Sequence, residues 1–145
     1  MAISTKHAPT PRATLKGRSF LTTEDFTREE LSEVLDLAIQ YKTLGHGRPL
    51  QGRSVALLFF DPSLRTRVSM EIAIQQLGGQ AVVLDVGKGT WALEYREGVI
   101  MDGDRSEHIK EAARVLSRYV AAIGVRSFPA LRSFEEERHD PVLRS

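Results

Sequence analysis

The chain has 145 residues, with 20 lysines and arginines against 19 aspartates and glutamates, for a formal charge of +1. A chain of this length can form one compact domain that buries roughly 68–70% of the surface its unfolded form exposes. Cysteine is absent, which excludes disulfide frameworks, thiolate metal sites and cysteine nucleophiles. The apolar runs Val55 to Phe60 and Tyr119 to Val125 fall well short of the ~20 residues of a spanning helix, so no membrane segment is expected. The near-neutral body offers no broad electrostatic footprint for nucleic acid.

Charge is uneven along the chain. Lys6, Arg12, Lys16 and Arg18 meet no acid before Glu24, so residues 1–18 carry +4 and the remainder −3. This Thr- and Pro-rich stretch has the composition of a transit peptide but no amphipathic period. A flexible, solvated leader over residues 1–18 is therefore expected, followed by one domain over 19–145.

Thr27-Arg28-Glu29-Glu30 reads as a capping box, in which the Thr hydroxyl and the Glu carboxylate satisfy free N–H groups of the first turn. It predicts a helix with Leu31, Val34, Leu35 and Ala38 on one face and Gly45 as its stop. Ser54 to Phe60 is a continuous apolar run, expected as a strand covered on both faces. Asp61-Pro62-Ser63 breaks it. Ser63 is placed to cap a helix from Leu64 to Leu77 that buries Met70, Ala73, Ile74 and Leu77. Gly78-Gly79 ends that helix, and Ala81 to Leu84 supplies a second strand.

A polar segment with the loop Gly87-Lys88-Gly89-Thr90-Trp91 follows. Asp104 and Glu107 resemble a capping pair for a third helix, with Ile109, Ala112, Ala113 and Leu116 on one face. Tyr119 to Val125 is the expected third strand. Strand, helix, strand, helix, strand with apolar strands predicts the α/β class, a parallel sheet with right-handed crossovers and helices on both faces.

In open sheets of this kind ligands bind beyond the carboxyl ends of the strands. Those ends carry Asp61 to Arg67, Gly87 to Trp91, and Arg126. A helix N-terminus offers unpaired N–H groups and partial positive charge, Ser63 and Thr66 add hydroxyls, and Arg65 and Arg67 add forked guanidinium groups. With Arg126 leaving the third strand at the same edge, the expected guest is an oxyanion such as phosphate. For an isolated S-x-R the alternative, a plain cap with arginines paired to acids such as Glu71, would be preferred. The cluster directly after a buried strand reverses that preference.

Phe60-Asp61-Pro62-Ser63-Leu64-Arg65-Thr66-Arg67-Val68-Ser69-Met70-Glu71 resembles the carbamoyl-phosphate signature of the aspartate and ornithine carbamoyltransferases, with Met70 where that family usually has Phe. Gly89-Thr90-Trp91-Ala92-Leu93-Glu94, Gly98 to Asp104, and Tyr119 through Ile123-Gly124-Val125-Arg126-Ser127-Phe128 are similar to the N-acyl-ornithine branch, whose substrates are N-acetyl- or N-succinyl-L-ornithine. The resemblance runs over residues 19–145. It implies that Ser63, the backbone of Leu64, Arg65 and Thr66 bind the phosphate of carbamoyl phosphate, with Thr66 and Arg126 reaching its carbonyl oxygen. It also implies a catalytic homotrimer in which Trp91 serves a neighbouring subunit's site, a cytoplasmic location, and no cofactor or metal. Arg67 and Glu71 are expected to pair at i and i+4 and support the loop. His46, His108 and His139 match no general-base position and are expected at the surface.

At the position matching Ser106, the family typically has Glu in acetylornithine enzymes and Pro in succinylornithine enzymes. Without the glutamate a succinyl carboxylate meets less repulsion. The family's second domain, with its His-Cys-Leu-Pro loop, has no counterpart in these residues. The 145-residue chain is thus expected to be the carbamoyl-phosphate half, with little turnover alone. Two alternatives stand beside this: a non-catalytic carbamoyl-phosphate-binding or assembly module, and an ordinary ornithine carbamoyltransferase.

Overall fold

A computed structural model of the chain describes residues 15–101 and 103–128. It divides into two compact units, the break falling after Gly45. In the first, Thr22 caps a short 3-10 turn over Thr23–Asp25. Helix α1, Arg28–Leu44, starts at Thr27 with both capping-box hydrogen bonds formed: Glu30 N donates to Thr27 Oγ1 at 3.2 Å and Thr27 N to Glu30 Oε2 at 2.9 Å. Gly45 ends the helix at φ 85°, a conformation open to glycine because it lacks a Cβ. The stripe of Leu31, Val34, Leu35 and Ala38 buries none of its members. Residues 1–14 of the expected leader lie outside the described residues. Arg18, its last residue, is anchored: Nη1 donates to Glu30 Oε1 at 2.6 Å, and the guanidinium carbon lies 4.4 Å from the Phe26 ring centre.

The second unit contains strands β1 (Ser54–Phe59), β2 (Gln80–Asp85) and β5 (Ala122–Arg126) in one parallel sheet ordered β2-β1-β5. Helix α2, Leu64–Gln76, connects β1 to β2, and α3, Ile109–Tyr119, precedes β5. The chain steps from β1 outward to β2 and then back across β1 to β5, so right-handed crossovers put the two helices on opposite faces. Alternation along β1 agrees with this. Leu57 and Phe59 pack with Ile74 of α2, whereas Leu58 faces a cavity shared with Ala112 and Leu116 of α3. Only the central strand is covered on both sides, and Ala56, Leu57, Leu58 and Phe59 are all buried. The parallel sheet with helices anticipated from the sequence is thus the observed architecture.

Four local expectations are corrected. In α2 only Ile74 is buried; Met70 and Ala73 are exposed and Leu77 half-buried, because a small sheet covers little more than one residue per turn of that helix. The third helix does not start from Asp104 and Glu107. His108 is its N-cap, Nδ1 accepting from Lys110 N at 3.2 Å. Glu107 instead sits with His108 in β4 (Glu107–His108), a two-residue strand parallel to β3 (Leu93–Glu94). Within α3, Ile109 and Ala112 are buried and Leu116 half-buried, but Ala113 faces outward. Tyr119 is the last residue of α3 rather than the first of a strand, so β5 starts at Ala122.

Candidate anion site at the sheet edge

Register brings the three strand ends level. Phe59, last in β1, is paired with Asp85, last in β2, and with Arg126, last in β5. The hydrogen bonds run one step further, Phe60 N donating to Arg126 O at 2.9 Å and Val86 N to Phe59 O at 3.0 Å. Asp61 and Pro62 then turn the chain into α2. Ser63, extended at φ −154°, caps the helix with its hydroxyl accepting from Thr66 N at 3.4 Å. That long contact leaves the first-turn N–H groups only weakly satisfied by the chain itself, and they retain the partial positive charge of a helix start.

Arg126 belongs to this corner. Its Nη1 donates to the carbonyl oxygens of Asp61 and Pro62, at 3.0 and 2.9 Å, across more than 60 residues of sequence. The Phe128 ring centre is 4.5 Å from its guanidinium carbon, and Phe128 N donates to Asp61 Oδ2 at 2.8 Å. Third-strand cation and first-strand loop therefore share one rim, and Arg126 adjoins the residue before Ser63. Arg65 is exposed and forms no ion pair among the described residues. Thr66 is exposed as well. The arrangement is a helix start with a hydroxyl on each of two residues and two guanidinium groups at the same edge, the donor set that a phosphate-sized dianion requires.

Arg67 serves a different purpose. The expected i,i+4 ion pair with Glu71 is present but loose, Nε to Oε1 3.9 Å, and the closer partner is Asp85, whose Oδ2 accepts from Nη1 at 2.6 Å. The hydrogen bond to Asp85 raises the pKa of Arg67. Asp85 was not singled out from the sequence, although an acid closing an apolar strand at the carboxyl edge is a readable signal.

Trp91 and Ser106 lie on other segments. Trp91 is 61% exposed, its Nε1 donates to Glu107 Oε2 at 3.0 Å, and it borders the cavity of about 180 Å³ on the α3 face. Ser106 is exposed, between Arg105 and Glu107. Neither is hydrogen-bonded to the Ser63 to Arg126 corner among the described residues. His46 contacts the Gly47 carbonyl through Nδ1 at 2.7 Å. His108 is half-buried rather than at the surface: because Nδ1 accepts in the cap, Nε2 carries the proton and points to Arg96 O at 3.2 Å. His139 falls outside the described residues. Also missed was Glu94, 3% exposed. Hydrogen bonds from the Arg96 side chain, then from the backbone of Arg96 and Tyr95, lower its pKa to about 2.

A crossover sheet with cationic and N–H donors gathered at its carboxyl edge defines an α/β domain of the kind that takes ligands at that edge. Residues 18–144 match the family of the aspartate/ornithine carbamoyltransferase carbamoyl-P binding domain, and the chain belongs to that family. It is 50% identical over 128 residues to the N-acetylornithine carbamoyltransferase of Xanthomonas campestris pv. campestris, covering 88% of this chain and 38% of the relative. A solved acetylornithine transcarbamylase complexed with acetylcitrulline superposes with a TM-score of 0.82 at 50% identity, over 88% of this chain and 38% of the other. A glutamate-to-serine mutant of N-acetyl-L-ornithine transcarbamylase complexed with carbamyl phosphate and N-succinyl-L-norvaline gives 0.81 at the same identity, again over 88% and 38%. The chain thus spans well under half the length of these relatives.

Proposed function

We propose that these residues are the carbamoyl-phosphate half of an N-acyl-ornithine carbamoyltransferase, which transfers the carbamoyl group to the δ-amine of N-acetyl- or N-succinyl-L-ornithine in arginine biosynthesis. The observation that carries this reading is the meeting of Arg126 with the Asp61 to Pro62 turn directly before the capped start of α2. Ser63, the Leu64 N–H, Arg65 and Thr66 hold the phosphate, and Thr66 and Arg126 polarise the carbamoyl oxygen. Similarity to the acetylornithine relatives supports the choice of acceptor.

The chemistry needs no covalent help from the chain. The uncharged δ-nitrogen forms a bond to the carbamoyl carbon, negative charge gathers on its oxygen, the carbon–oxygen bond to phosphate breaks with its electron pair leaving on phosphate, and the nitrogen gives up a proton. Fixed cationic donors around both oxygens favour that charge as it develops, which is catalysis by electrostatic preorganisation. Holding both reactants together removes the entropic cost of encounter.

Trp91, on an exposed loop, is assigned to a neighbouring subunit's site in a homotrimer acting in the cytoplasm. Ser106 is assigned to the acyl group: it brings no carboxylate, so both acetyl and succinyl acceptors are admitted. The serine mutant bound to N-succinyl-L-norvaline supports a serine as compatible with that longer acid.

Calorimetric titration of the chain with carbamoyl phosphate tests the reading. Arg65→Ala should weaken affinity by roughly tenfold to a hundredfold, the worth of a charge-assisted hydrogen bond. Unchanged affinity would overturn it. Product assays with acetyl-, succinyl- and free ornithine on the protein containing both domains separate the acceptors, and turnover on free ornithine alone would restore the ordinary ornithine enzyme.

A further inference from the structure

We propose that Glu94 is a positioning residue that locks the segment carrying Trp91 to the segment carrying Ser106. The proposal rests on the reading of those two residues given above and adds to it a group that touches neither ligand.

The ladder joining the two segments is only Leu93↔Glu107 and Glu94↔His108. Two parallel residue pairs do not hold themselves together in water, so side chains must. One buried carboxylate orders its own segment and meets the other through Arg105. Glu94 Oε1 accepts from Tyr95 N at 2.9 Å, Arg96 N at 3.0 Å and Arg96 Nε at 3.1 Å, and Oε2 accepts from Arg96 Nη2 at 2.9 Å. From the opposite segment, Arg105 Nη1 reaches Glu94 Oε1 at 3.4 Å and the Leu93 carbonyl at 3.0 Å, with its guanidinium carbon 4.9 Å from the Tyr95 ring centre. A buried carboxylate is costly unless its lone pairs are all engaged. Here the burial and the full engagement point to a junction rather than a surface ion pair.

The two functional residues hang from this junction. Ser106 is flanked by Arg105, tied to Glu94, and by Glu107, which accepts the Trp91 indole N–H. Trp91 in turn stands two residues before Leu93, whose carbonyl Arg105 also holds. The backbone cannot shift Ser106 without pulling on both anchors. Removing the charge at Glu94 leaves Arg105 held by the Leu93 carbonyl and the Tyr95 ring alone, and the frame around the Trp91–Glu107 contact loosens.

Trp91 is the one tryptophan of the chain, so its fluorescence reads this frame directly. Glu94→Gln keeps the shape and removes the charge. Expected are lower Trp91 anisotropy and an acrylamide quenching constant raised about twofold, with native far-UV circular dichroism. Glu107→Ala, which deletes the indole's acceptor, should give a similar change, and the double variant little more than either alone. Ile74→Ala, on the opposite face of the sheet, should lower Tm while leaving Trp91 unchanged. Wild-type anisotropy in folded Glu94→Gln, or an equal loss in Ile74→Ala, overturns the proposal. Should Glu94→Gln not fold, Arg105→Ala asks the same question, since it deletes the Nη1 that meets both the carboxylate and the Leu93 carbonyl. Failure of the wild-type chain to bind carbamoyl phosphate would sink the function and leave the fluorescence result standing.

Discussion

Arg67, in the first turn of α2, donates from Nη1 to Oδ2 of Asp85, the last residue of β2, at 2.6 Å. The pair spans two strand ends of the sheet and separates the work of the two arginines in the R-T-R triplet. Arg67 is committed to an acid of its own chain, and Arg65 is left facing outward.

Arg67→Ala should therefore weaken carbamoyl phosphate binding less than Arg65→Ala does. Asp85→Asn should lower Tm by only a few degrees, because the side chains are 38% and 36% exposed and pairs of that kind contribute little. Titration calorimetry and thermal melts on the three variants give the ranking. Equal losses for Arg65→Ala and Arg67→Ala would show that both guanidinium groups face the ligand.

Ser63 has two tasks, so its substitution should show in two measurements. As N-cap of α2 it accepts from Thr66 N, and Ser63→Ala should cost about 0.5–1 kcal/mol of stability at that long contact. Ser63→Gly should recover most of the stability but not the affinity for carbamoyl phosphate. Recovery of both would reduce the serine to a cap. Affinity should also fall as ionic strength rises, since the site is exposed and its guest a dianion.

Leu57 is 2% exposed and packs with Phe59 and Ile74 between β1 and α2. Leu57→Ala should destabilise by about 2–5 kcal/mol through lost burial and the cavity left behind. Chemical denaturation would measure it. A loss well under 1 kcal/mol would mean that α2 closes over the gap.

Glu94 gives the pH dependence a sign. Its pKa is held down near 2, chiefly by the Arg96 side chain, against an ordinary 4.5. The stabilisation is then fully present above about pH 4.5 and is lost as pH falls towards 2. Melts of wild type and Glu94→Gln between pH 6 and 2 should differ most at the upper end and converge at the lower. A gap that stays constant with pH would place the effect in packing rather than charge.

The sequence by itself determined what depends on neighbours in the chain. Thr27 and Glu30 form their capping box, Ser63 caps α2, Gly45 takes the left-handed turn, and the apolar run before Phe60 is the central strand. Those features follow from local hydrogen bonding and from periodicity, which need no partner elsewhere. The anion-binding character of Ser63 to Arg67 was likewise legible, because a helix start and its side chains are contiguous. Tertiary structure decided which groups meet across long separations: Arg67 with Asp85 in addition to the local Glu71, Arg126 with the Pro62 carbonyl, Glu94 with Arg105, and His108 in the cap where Asp104 and Glu107 were expected. Strand order and register set those meetings, and a hydrophobic pattern carries neither, since it records only which side of each element is covered. The same limit explains α2, where the apolar residues follow a helical period but the narrow sheet buries Ile74 alone.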